Sequence, residues 1–122
     1  INTTPVPFPT VQIDTASGFN ASTYIYTIPK AGNWQLTSNL GIVRLSADTS
    51  FLNYIYKGST SLGYSYNDTA NVSGYTYANS TFTKIVDCAV GDEIKVVADV
   101  GGTSATYYNG PSECRFSGFL LG

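Results

Sequence analysis

Large apolar side chains recur along this chain at every second position, the period of a strand, and not at every third or fourth, the period of a helix. After Pro29, Trp34 begins a stretch whose large side chains fall at alternate places, and Ile94, Val96 and Ala98 share one side of a later stretch. The pattern predicts eight strands, near 10–14, 23–28, 33–45, 51–57, 61–66, 73–87, 92–100 and 115–121, and no helix. Turn chemistry separates them at Ala16-Ser17-Gly18, Lys57-Gly58-Ser59 and Asn67-Asp68. The stretch 73–87 is long enough to break into two strands near Asn79, and residues 101–114 read as one long loop. Long loops on rigid β scaffolds commonly carry recognition. Pro5, Pro7 and Pro9 fix their own φ and push the residues before them to extended geometry, so residues 1–10 read as an arm and 11–122 as a single domain.

Three stretches sharpen this picture. In Ile28-Pro29-Lys30-Ala31-Gly32-Asn33-Trp34-Gln35-Leu36, a proline ends one strand and Ala-Gly turns into the next. In Val90-Gly91-Asp92-Glu93-Ile94-Lys95-Val96, a tight reversal places Gly91 where positive φ is needed. In Phe116-Ser117-Gly118-Phe119-Leu120-Leu121, a glycine splits a terminal apolar strand where no side chain fits beside a neighbouring backbone. This order and spacing resemble the jelly-roll heads of the complement globular-head and tumour necrosis factor superfamily, over residues 6 to 122. The resemblance implies an all-β fold, a two-sheet antiparallel jelly-roll sandwich, and assembly as a homotrimer. It implies little about ligand, because that superfamily spans hormones, complement proteins, bacterial spore filaments and viral fibre tips.

At 122 residues the chain suits one domain with one core. Charged residues make up only 11% of it, which fits a chain dominated by turns and half-buried strands. The net charge is −2 and the six basic residues are scattered, so nucleic acid and anionic lipid are excluded as partners. No apolar run approaches the length of a membrane span, so no membrane insertion is expected. Asn2, Asn20, Asn67, Asn71 and Asn79 each begin an Asn-x-Ser/Thr sequon, which a eukaryotic secreted protein would glycosylate and a bacterial or phage protein would leave bare.

Eight of the ten tyrosines stand in i, i+2 pairs: Tyr24 with Tyr26, Tyr54 with Tyr56, Tyr64 with Tyr66 and Tyr75 with Tyr77. On strands each pair lays two rings along one face. Tyrosine suits a half-wet position, its ring covered and its hydroxyl bonded to water or a partner. Such stripes serve as a carbohydrate platform, as a subunit interface or as an ordinary core edge. Tyr75, Tyr77, Phe116 and Phe119 are the candidates for an interface around a trimer axis.

Catalysis has little to stand on. The chain has no histidine, hence no Ser-His or Cys-His pair, and its two cysteines, Cys88 and Cys114, lack metal-ligand spacing. Asp48, Asp68, Asp87, Asp92, Asp99 and Glu113 mostly stand in or beside turns, where Asp caps backbone, and nothing in their spacing favours a hydrolytic pair. No cofactor is expected, although Asp and Asn oxygens in the loops suit calcium. A Cys88–Cys114 disulfide is tempting in a secreted-looking chain. An antiparallel strand order nevertheless leaves the two about 20 Å apart, against the roughly 7 Å between Cα atoms that a disulfide tolerates, unless the loop 101–114 doubles back.

These readings lead to a non-enzymatic trimeric head, extracellular or on a virion surface, that binds a cell-surface glycan or a protein through loops at one end. Tyr107, Tyr108, Asn109 and Asp68 are the candidate ligand-binding residues, two rings beside an Asn-Gly turn with one loop acid. The alternative is structural: a trimeric capsid-decoration or filament-capping protein whose N-terminal arm grips its neighbours.

Overall fold

The structure, a computed structural model, describes residues 5–6, 18–44, 50–68, 76–101, 105–107 and 114–122. Among these residues there is no helix and there are nine strands: β1 (Phe19–Asn20), β2 (Ile25–Thr27), β3 (Gly32–Arg44), β4 (Ser50–Lys57), β5 (Thr60–Asp68), β6 (Thr76–Cys88), β7 (Glu93–Gly101), β8 (Ala105–Tyr107) and β9 (Arg115–Leu120). They form two sheets, one five-stranded in the order β1-β2-β7-β4-β5, the other β6-β3-β8 with β9 also on β3. Every pairing is antiparallel, the all-β jelly-roll sandwich expected from the period-2 pattern.

The alternation works out residue by residue. On β3, Trp34, Leu36, Ser38 and Leu40 are buried, while Gln35, Thr37 and Asn39 between them face outward. From the other sheet Ile55, Ile94, Val96 and Ala98 meet them, all under 3% exposed. Removing each aliphatic side chain of that size from water contributes about 1.5 to 3 kcal/mol, which makes the space between the sheets the main source of stability. Tyr26 closes one end of the core, its ring edge-on to Trp34 at 6.0 Å and to Phe116 at 6.5 Å. A polar hub joins the sheets: Ser38 Oγ donates to Asn53 Oδ1 at 2.6 Å, and Asn53 Nδ2 donates to the Ser38 and Ser80 carbonyls. Val6, in the segment read as an arm, is 1% exposed and its N–H donates to the Val96 carbonyl at 2.8 Å. It takes the sheet position just past Ile94, the last β7 residue that β2 reaches from the other direction.

Several expected details fall differently. The segment 101–114 is not one loop, because β8 pairs Ala105–Tyr107 with Ile42–Arg44 on the edge that β9 occupies further along β3. β6 does not break at Asn79, which sits opposite Gly41 in an unbroken ladder with β3. Asn67 and Asp68 extend β5 opposite Phe51 and Ser50, where a turn was expected. Tyr24 lies in a turn and not on a strand: its φ is 60°, and Asn20 holds that turn by accepting the Ser22 and Thr23 N–H groups on its side chain. Glycine does not split β9, and what excludes a side chain at Gly118 is first the Leu36 side chain, 2.9 Å from where a Cβ would stand. The expected strand near 10–14 and Ala16-Ser17 of the first turn lie outside the described residues.

Neither thiol is in a disulfide, and both are buried, toward opposite ends of β3. Cys88 pairs with Gly32, whereas Cys114 Sγ touches the Gly41 backbone at 3.4 to 3.5 Å. Nine residue steps of strand separate those glycines, about 30 Å at the rise of an extended chain, so the pair is far beyond disulfide reach.

Candidate functional site

The predicted site residues fall in different places. Tyr108, Asn109 and Tyr75 lie outside the described residues. Tyr107 ends β8 opposite Ile42, and Asp68 ends β5 opposite Ser50, in different sheets. Both belong to one end of the sandwich, since β7 leaves at Gly101 beside Ser50 and β8 begins at Ala105, at most about 15 Å of Cα path away. Tyr77 pairs with Val43. Phe116 and Phe119 are on opposite faces of β9: Phe116 stands opposite buried Ser38 and packs on Tyr26, whereas Phe119 is 52% exposed opposite Gln35.

Two outward faces stand out. On the β6–β3–β9 sheet the register aligns Ile85–Gln35–Phe119, then Thr83–Thr37–Ser117, then Thr81–Asn39–Arg115. Leu121 extends this face beside Asn33, to whose carbonyl its N–H donates. Ile85, Phe119 and Leu121 are 57%, 52% and 49% exposed, three apolar side chains at one end of a face that otherwise offers Thr, Asn, Ser and Gln, with Arg115 at the other end and Asp87 beside Asn33.

On the β5–β4–β7 sheet the corresponding rows are Tyr66–Leu52–Asp99, Tyr64–Tyr54–Val97 and Ser61–Tyr56–Lys95. Four tyrosines therefore share one outward surface, and sequence pairing alone did not bring Tyr54 and Tyr56 together with Tyr64 and Tyr66. The hairpin signal at Gly58-Ser59 pointed to the contact of β4 with β5, but not to which side chains would share a face. Burial first, and then the charge of Asp99, hold the Tyr54 phenol above its ordinary value of 10.0.

The acids do not converge. Asp92 caps the turn before β7 by accepting the Ala89 N–H at 2.9 Å and lies 3.9 Å from Lys57 Nζ. Asp87 is exposed beside Asn33 on β3, and Asp99 is on the outward tyrosine face. Asp48 and Glu113 lie outside the described residues, among which no group of three or more His, Cys, Asp or Glu side chains could hold a metal. Burial pushes the Cys88 thiol above its ordinary range and the charge of nearby Lys57 opposes this in part, an environment that disfavours the thiolate.

No protein-family model matches the chain, and no curated protein matches its sequence. Among solved structures it is similar to murine APRIL, a tumour necrosis factor-family jelly-roll protein. The likeness to the crystal structure at pH 5.0 has a TM-score of 0.59 at 16% identity, over 83% of this chain and 75% of that one. At pH 8.0 it has a TM-score of 0.58 at 16% identity, over 83% and 72%. Two antiparallel sheets with this strand order and likeness make the chain a tumour necrosis factor-like jelly roll.

Proposed function

We propose that this protein is a non-enzymatic recognition head that works as a homotrimer outside the cell or on a virion surface. In this reading the β6–β3–β9 face is the subunit interface, and loops at one end of the sandwich engage a protein or glycan partner. The observation that carries it is the exposed Ile85, Phe119 and Leu121 at one end of a face whose formal charges, among the described residues, are Arg115 and the flanking Asp87. Leaving three such side chains in water wastes burial worth about 1.5 to 3 kcal/mol each, and packing against a second copy recovers it. The thiols and carboxylates described above offer no nucleophile with a base and no convergent acid pair, which supports binding over catalysis.

The structural alternative requires residues 1–10 to grip neighbouring copies. Val6 favours the head instead, because it is already part of this chain's own core.

Sedimentation equilibrium tests the proposal. Wild-type protein is expected to sediment as a trimer at micromolar concentration. Ile85→Ser with Phe119→Ser should weaken association at least about tenfold while moving the melting temperature by only a few degrees, since both side chains are more than half exposed. A wild-type monomer at that concentration overturns the trimer.

A further inference from the structure

The outward face of the five-stranded sheet has no part in that self-association, and its chemistry is of another kind. The Tyr54 ring lies 5.1 Å from Tyr64 and 5.8 Å from Tyr56, tilted by 47° and 46°. Rings tilted in this way brace one another by partial overlap, and Tyr64 and Tyr66 remain 53% and 55% exposed. Beside Tyr54 in the same row, Val97, an outward-facing aliphatic residue, is 0% exposed and offers no apolar surface of its own. The other outward aliphatic residue in these rows, Leu52, is half-buried between Tyr66 and Asp99. Neither aliphatic residue of these rows thus presents an exposed apolar anchor to a protein partner.

Charge narrows the choice further. The rows hold one cation and one anion: Lys95 Nζ lies 5.5 Å over the Tyr56 ring, and Asp99 stands at the other end of the same β7 edge. With exposed Glu93 two residues before Lys95 on the same side of β7, the face carries no cationic surplus to attract nucleic acid, an anionic lipid or a sialylated glycan. What it presents is the exposed rings of Tyr64 and Tyr66, with Tyr54 half-buried beside them, Tyr56 only 7% exposed under Lys95, and Asp99 in the row of Tyr66. These complement a pyranose ring, whose C–H face is apolar and whose hydroxyls radiate around its edge. The rows repeat at about 7 Å along the strands, so a second sugar unit meets a second row.

We propose that Tyr64 and Tyr66, braced by Tyr54 and Tyr56 and with Asp99 in the same rows, form a binding site for neutral oligosaccharides, stacking one sugar on Tyr64 and the next on Tyr66. The site is separate from the loops at the end of the sandwich, and does not depend on the trimer. When copies associate through the opposite sheet, each keeps its platform turned outward, and a repetitive glycan is bound multivalently.

The test is isothermal titration, with backbone-amide NMR shifts as a second readout, against maltohexaose, cellohexaose, xylohexaose, mannohexaose and chitotriose, with polysialic acid as the anionic control. At least one neutral oligosaccharide is expected to saturate the protein with a Kd of about 1 mM or tighter, largely independent of salt, with shifts centred on β4 and β5. Tyr64→Ala with Tyr66→Ala should weaken that binding at least about tenfold and leave sedimentation unchanged. Tyr64→Phe with Tyr66→Phe, which keeps the rings, should retain most of it even if the Ala pair folds poorly. The proposal is overturned if no neutral member binds, if the Ala pair binds as well as wild type, or if polysialic acid binds more tightly than every neutral member. It is overturned equally if the Ala pair loses self-association, which would make this face the seat of a second copy.

Discussion

The two outward faces of the sandwich are built on the same geometry and do different things with it. On β6–β3–β9 the polar side chains satisfy one another: Thr37 and Thr83 hydroxyls lie 3.1 Å apart, and the Thr81 hydroxyl donates to Asn39 at 2.8 Å. On β5–β4–β7 the corresponding positions are mostly rings, packed on one another at 5.1 and 5.8 Å. Thr and Tyr are comparably good strand formers, so strand formation does not choose between them. The difference lies in what each face asks of a partner. A self-bonded polar face with exposed Ile85 and Phe119 gains most by excluding water against another such face, whereas exposed tyrosine is stable in water and gains by stacking.

That contrast can be broken or sharpened by substitution. The largest effect should come from the core that both faces share. Leu36 is 0% exposed and packs under Gly118 of β9, and Leu36→Ala is expected to cost about 2 to 5 kcal/mol in denaturant unfolding. It should abolish self-association and saccharide binding together, because neither face outlives the core. Loss of one without the other would show that the two sheets fold independently.

A smaller effect is expected at the polar hub. Asn53→Ala removes the acceptor of the Ser38 hydroxyl and the donor to two carbonyls, leaving buried groups unsatisfied at about 1 to 3 kcal/mol. Because the hub aligns the sheets more than it shapes either outer face, both binding activities should persist in the folded fraction. Urea unfolding beside sedimentation separates the two outcomes.

The smallest effect concerns pH and touches one face only. The Tyr54 phenol is raised in the fold, so above pH 10 the unfolded chain releases its proton while the native chain still holds it. With fewer protons on the unfolded state, stability falls as pH rises from the ordinary phenol value toward the raised one, and below that window the group contributes fully. Tyr54→Phe should flatten this part of the alkaline stability curve. Identical wild-type and variant curves from pH 9 to 11 would show that Tyr54 titrates normally.

Much of this architecture was legible in the residues. Strand positions followed from the alternation, because a half-buried sheet demands period 2. The reversals at Gly58-Ser59 and Gly91-Asp92 followed from the glycine each needs, at φ 61° and 91°. The fate of the thiols also followed, since antiparallel strands carry Cys88 and Cys114 to opposite ends of β3. What local pattern hid were the elements held only by distant partners. β8 is three residues long and exists because the edge of β3 beyond β9 is open to it. Asn53 occupies a position where alternation calls for an apolar residue, and only the Ser38 and Ser80 backbones across the core make it satisfied there.

The tyrosine platform divides the two kinds of information most sharply. The sequence by itself determined that β4 and β5 form a hairpin, and that each carries a tyrosine pair along one of its faces. A regular hairpin from the Lys57–Thr60 pair would set Tyr54 opposite Gly63 and Asn53 opposite Tyr64, turning the second pair into the core. Between Ile55 and Tyr56 the register shifts by one, with Leu62 as the extra residue, so that Gly63 meets Ile55 and Tyr64 meets Tyr54. The reason is tertiary: the Phe82 ring from the other sheet lies 2.9 Å from where a Cβ at position 63 would stand, and only glycine, at φ 133°, can pass beneath it. A ring on β6 thereby decides which face Tyr64 and Tyr66 present, because a slip of one residue in a strand exchanges its two faces.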